Sequence, residues 1–139
     1  MNNIDKFDIL VGKILAKLYS EFPRKTIIKA TDFGVKNPVE DYLSNLDAKT
    51  IEQNSAEDLH FFDDTLKFLI DENMIVAKQN TIGIFYDTRL TSKGLKILKK
   101  IPNSINESAS SVGEWLKSSA KILNDEALKK VASVALGML

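Results

Sequence analysis

The stretch from Ser55 to Lys100, SAEDLHFFDDTLKFLIDENMIVAKQNTIGIFYDTRLTSKGLKILKK, carries three local patterns one after another. Ser55 is an N-cap residue type and Asp58 follows three positions on, so an acceptor for free first-turn amides precedes a carboxylate favoured by the helix dipole. The spacing predicts a helix from there, with Leu59, Phe62, Leu66, Leu69 and Ile70 at the three-and-four repeat that lines one face. After Asn73 the period changes. Met74-Ile75-Val76-Ala77 reads as a short strand and Gln79-Asn80-Thr81 as a polar turn. Ile82, Ile84, Tyr86 and Thr88 then alternate with Gly83, Phe85 and Asp87 as in a half-buried strand. Thr91 stands where it can cap a last helix carrying Leu95, Ile97, Leu98 and Ile101, stopped by Pro102.

Upstream, Phe7, Leu10, Val11, Ile14, Leu15 and Leu18 form an apolar stripe over about four helical turns, with Lys6, Lys13 and Lys17 on the other side. Phe22-Pro23 ends that helix, and the β-branched Thr26-Ile27-Ile28 predicts a short strand pairing with the hairpin. Asn37-Pro38 places a cap before proline at a first helical position, and Val39, Tyr42, Leu43 and Leu46 continue at helical spacing. Asp47 to Asn54 is a polar connection longer than the tight turn of a minimal helix-turn-helix. Downstream, 103–110 reads as a polar linker between a domain over 1–102 and an amphipathic tail helix over 111–139. Ser111 and Glu114 form a capping box for the tail. Val112, Leu116, Ala120, Leu123, Ala127, Val131, Val134 and Met138 then drift around one face, with a break near Asn124-Asp125.

A long helix running into a hairpin that ends in Leu90-Thr91-x-Lys93-Gly94 resembles the wing of MarR- and PadR-like winged helices, over roughly Ile4 to Ile101. The resemblance implies a mostly helical α+β fold. Its core would be a winged helix-turn-helix, three helices plus a small antiparallel sheet, with a C-terminal helical extension. It also implies a scaffold of DNA-binding type, which related folds use for protein contacts as well.

Composition narrows the function classes. A chain of 139 residues is one domain by length. With no cysteine, disulfides, thiolate catalysis and cysteine-based zinc sites are excluded. The Met1–Lys6 segment lacks the pattern of a signal peptide, and no apolar run approaches about 20 residues, so a cytoplasmic protein is expected. His60 is the only histidine. Glu57, His60 and Asp64 share a helix face at metal-site spacing but read as a solvated polar face, and Asp63, Asp64 and Asp87 have no positioned partner for acid–base work. No enzymatic activity, cofactor or metal is expected.

Charge is segregated although it sums to zero. From Asn37 to Asn73 ten acidic residues face two lysines, whereas Met74 to Ile101 carries six bases and one acid. A carboxylate about 10 Å from a phosphate costs on the order of 0.4 kcal/mol in water, so the acidic helix is ill suited to a DNA groove. If DNA is the ligand, the candidate contacts are Arg24, Lys25, Lys78, Arg89, Lys93, Lys96, Lys99 and Lys100. Phe61 and Phe68 lie nearly opposite the core stripe of the same helix and call for a cover, the tail helix or a partner.

The reading is therefore a small non-enzymatic interaction module, with a DNA-binding regulator of MarR/PadR-like type as the alternative. Candidate partner-binding residues are Glu57, Phe61, Asp64, Phe68 and Asp71 on the acidic helix and Trp115, Leu116, Leu123, Val131 and Val134 on the tail. The tail's apolar breadth predicts a homodimer through the C-terminal helix. Its mixed-sign charges argue against a membrane as partner.

Overall fold

The computed structural model describes residues 2–38, 53–100 and 111–139, with the backbone alone for 53–55. Its elements are α1 (Asn3–Glu21), β1 (Thr26–Lys29), a 3-10 turn (Ala30–Phe33), α2 (Gln53–Asp71), β2 (Ile75–Thr81), β3 (Ile84–Leu90), α3 (Ser92–Lys99), α4 (Val112–Lys121) and α5 (Asp125–Leu136). The architecture is α+β, with an antiparallel three-stranded sheet in the order β1-β3-β2. The expected helix after Asn37-Pro38, the stop at Pro102 and the 103–110 linker lie outside the described residues.

α1 is the centre of the molecule. Asn2 caps it by accepting from the Asp5 N–H at 2.8 Å. Ile9, Leu10, Val11, Gly12, Ile14, Leu15, Ala16 and Leu18 are all buried, more than the single stripe expected. The extra burial arises because α1 packs against α4 and α5 as well as against α2 and the sheet. Gly12 lets α5 come close: a Cβ there would sit 3.0 Å from the Leu128 carbonyl oxygen.

The tail is two helices. α4 ends in amide bonds from Ile122 and Leu123 back to Ser118 and Ala120, and Asn124 starts α5 by accepting from the Ala127 N–H at 3.1 Å. Ser111 caps α4, accepting from Glu114 N–H at 3.1 Å. Val112, Leu116, Leu128, Val131, Ala132 and Ala135 are fully buried in the same core as α1. Of the apolar residues 131–139 from which dimerisation is expected, Val131, Ala132 and Ala135 are covered within the chain, whereas Val134, Leu136 and Met138 are half-buried and Leu139 is exposed.

Leu90-Thr91-x-Lys93-Gly94 proves to be a joint between helices. The Thr91 hydroxyl accepts from Gly94 N–H at 3.0 Å, capping α3, and donates to the Asn73 carbonyl at 2.6 Å. Thr91 N–H reaches the Met74 carbonyl at 3.0 Å, and Lys93 Nζ donates to the Glu72 carbonyl at 3.2 Å. Gly94 is required because any Cβ would overlap the Met74 carbonyl oxygen. The end of α2 is thereby fastened to the start of α3.

Three expectations are corrected here. Gln53 and Asn54 are already helical, so Ser55 lies within α2 and is not its cap. The hairpin turns at Ile82-Gly83, with Gln79-Asn80-Thr81 still in β2. On β3 the buried residues are Phe85, Thr88 and Leu90, whereas Ile84 and Tyr86 are half-buried. The cause is a bulge: Thr26 pairs with Thr88 and Ile28 with Phe85, so two steps on β1 face three on β3. Asp87 takes a left-handed φ of 53° there, and the extra residue flips the alternation.

Buried Thr88 has a hydroxyl without a hydrogen-bond partner among the described residues. Removing an unpaired buried hydroxyl while keeping the shape relieves a desolvation cost. Thr88→Val is expected to leave stability unchanged or raise it by about 1 kcal/mol, measured by urea unfolding. A loss of stability would show that the hydroxyl is satisfied.

Among the described residues no helix is long and apolar enough to cross a membrane.

Candidate functional site

α2 turns Leu59, Phe62, Leu66 and Leu69 into the core, which leaves Glu57, His60, Asp64, Lys67 and Asp71 on the outer face, all exposed. Glu57, Asp64 and Asp71 follow at intervals of two turns, about 10 Å each. None of the three makes an ion pair among the described residues. Asp58 is spoken for by Lys6 at 3.5 Å, and the one lysine on the face, Lys67, is drawn to Asp63 at 2.9 Å. The hydrogen bond to Asp63 is what chiefly raises the pKa of Lys67.

Phe61 and Phe68 meet α1. Phe68 stands edge-on to Phe7, with ring centroids 5.2 Å apart, and the Lys6 ammonium lies 4.9 Å from the Phe61 ring centre. Where the tail or a partner is expected as the cover, the contacts among the described residues come from α1, and of the tail Asp125 lines the same cleft as Phe61. Phe61 also floors a cleft of about 190 Å³ with Ile9, Leu10, Phe33 and Val35.

Asp63 is buried behind the acidic face and holds the hairpin. One carboxylate oxygen accepts from Gly83 N–H at 3.0 Å and from the Gln79 side-chain amide, and the other faces Lys67. Burial works to raise the Asp63 pKa, but the Gly83 N–H, Lys67 and Gln79 together outweigh it and hold the carboxyl below the ordinary value. Such a group carries no proton to give at neutral pH. Gly83 has φ 79°, and a Cβ there would lie 2.6 Å from Leu59 and 2.7 Å from the Asn37 amide, so the turn is pressed directly onto α2. The Asn37 side-chain amide donates to the Ile82 carbonyl at 3.2 Å, and the amides it is expected to cap lie outside the described residues.

Of the basic residues, Lys93, Lys96 and Lys100 line one groove beside α3, and the others differ in their surroundings. Lys78 pairs with Asp87 at 3.6 Å, Lys93 is bound to the end of α2, and Arg89 is half-buried. Lys96, Lys99 and Lys100 are exposed at α3, and Arg24 and Lys25 are exposed between α1 and β1. Of the tail residues, Leu116 and Val131 are fully buried and cannot meet a partner. Trp115 is half-buried with Lys130 5.9 Å from its ring centre, and Val134 is half-buried. Leu123 is exposed at the α4–α5 turn beside Ile122. Among the described residues no three His, Asp or Glu side chains gather as metal ligands would.

Asp63 as the anchor of the hairpin escapes sequence reading, because its partners Gln79 and Gly83 are 16 and 20 positions away and no local pattern marks them. Comparison of the chain with protein-family models, with curated proteins and with solved structures finds no match in any of the three.

Proposed function

We propose that this chain is a non-enzymatic interaction module on a winged-helix scaffold, which docks a lysine- and arginine-rich protein surface through the outer face of α2. The scaffold reading is supported by the element order, in which α2 leads into the β2–β3 hairpin and β1 pairs with β3. The observation that carries the function is the row of Glu57, Asp64 and Asp71, solvent-facing and without an ion pair among the described residues, at the position where a groove-reading helix would meet DNA. Such a row repels phosphate and attracts a basic surface, and complementary charge fixes orientation and speeds encounter.

The test reverses the row. Proteins captured from an extract are purified and titrated singly against the wild type and against the Glu57→Lys/Asp64→Lys/Asp71→Lys variant, at about 0.15 M salt. A partner is expected to bind the variant at least about tenfold more weakly. Equal binding by both, or a sequence-specific shift of genomic DNA by the wild type that the reversal destroys, would overturn the reading.

A second reading, a DNA-binding regulator, is favoured by exposed Lys96, Lys99 and Lys100, which make no ion pair among the described residues. In that case contact would be weak, salt-dependent and centred on α3.

A further inference from the structure

We propose that the groove between α1 and α4 binds a compact ligand carrying two or more phosphate groups. Lys13 and Lys17 are four apart on α1, and Lys117 and Lys121 are four apart on α4, so each pair stacks along one face of its helix. The two helices pack side by side: a Cβ on Gly113 would lie 2.7 Å from the Tyr19 ring. Between them runs a groove of about 530 Å³, within the range of small-ligand sites. All four lysines line it, with Ala16 and Ala120 keeping it open and Ser20 and Ser118 beside them.

The ammonium groups are held without being used up. Lys13 stands 3.9 Å from Asp125 and Lys17 stands 3.7 Å from Asp32, both longer than an N–H···O hydrogen bond. Lys117 lies 6.0 Å from the Tyr19 ring centre, and Lys121 makes no ion pair among the described residues. Among the described residues Glu114 is the only carboxylate on the lining. A ligand must therefore out-compete Asp32 and Asp125 and tolerate Glu114, which a singly charged anion does poorly and an oligophosphate does well. Lysine suits phosphate oxygens as a mobile point charge. Among the described residues no aromatic ring and no arginine lines the groove, so a nucleic-acid base would find nothing there to stack on. Recognition is of phosphate number, not of base. The site lies on α1 and α4, so it stands or falls independently of the acidic face of α2.

The test is calorimetric titration of the full chain at low salt with inorganic tripolyphosphate, a nucleoside triphosphate and a single-stranded oligonucleotide. The first two should bind with affinities within about twofold of each other. Lys17→Gln/Lys121→Gln should weaken both by about tenfold or more, with an unchanged melting temperature confirming the fold. Lys96→Gln/Lys99→Gln on α3 should have no effect, and amide shifts should centre on 13–20 and 114–121. Absence of binding by the wild type, equal binding by the Lys17/Lys121 variant, or a preference for the oligonucleotide would each overturn the proposal.

Discussion

Removal of residues 111–139 is expected to leave the remaining chain without a native fold. Val112, Leu116, Leu128 and Val131 are fully buried. At about 1.5–3 kcal/mol for each such side chain, they contribute roughly 6–12 kcal/mol, comparable with the roughly 5–15 kcal/mol that stabilises a whole domain. The ion pairs Lys13–Asp125 and Lys129–Asp5, at 3.9 and 3.8 Å on the surface, add little. Loss of the tail would also bare the side of α1 where Gly12 meets Leu128. The truncated chain should lack a cooperative thermal transition by circular dichroism and bind apolar dyes. A transition within about 5 °C of the full chain would mean that the tail is an accessory.

Asp63→Ala should cost about 2–3 kcal/mol, or roughly 10 °C in melting temperature. The change leaves the Gly83 N–H and the Gln79 amide without their acceptor at a site that water hardly reaches. Half-exposed Lys67 can turn to solvent, which keeps the loss below that of a fully buried ion pair. The pH dependence has a definite sign. Because the folded carboxyl has a pKa below its unfolded value, its stabilisation is complete above that value, about 4, and is lost as pH falls through the folded pKa. The difference between wild type and Asp63→Asn should therefore be constant from about pH 5 to 8 and shrink below about pH 4. A difference that grew with acid would assign Asp63 another role.

What could be read from the residues alone was whatever neighbours in sequence decide. Thr91, Ser111 and Asn2 cap helices by bonds to amides three positions away, and two of these were visible in advance as cap-type residues at pattern boundaries. The burial of β3 was not, because alternation fails where Asp87 inserts an extra residue, and a left-handed aspartate has no sequence mark of its own. Nor was the position of the turn: Gln79-Asn80-Thr81 is as polar as a turn, yet Asp63 on another element holds the chain at Gly83. The acidic face of α2 was legible because its carboxylates share one helix. The lysines of the α1–α4 groove were not, since Lys13 and Lys17 read as a solvated face until α4 is laid beside them.

The central position of α1 also governs how the molecule can come into being. Gly12 and Leu128 touch across more than a hundred residues of sequence, and Lys129 reaches back to Asp5. A ribosome adding about 5–20 residues per second needs roughly 5–25 s to pass from α1 to α5. For that interval α1 leaves the tunnel with the side that α4 and α5 will cover still bare. Contacts of such high sequence separation form slowly, since the intervening chain must lose its freedom before they repay it. Completion of the core thus waits until α5 has been made, and the waiting α1 is the surface on which a chaperone, or another nascent chain, would act.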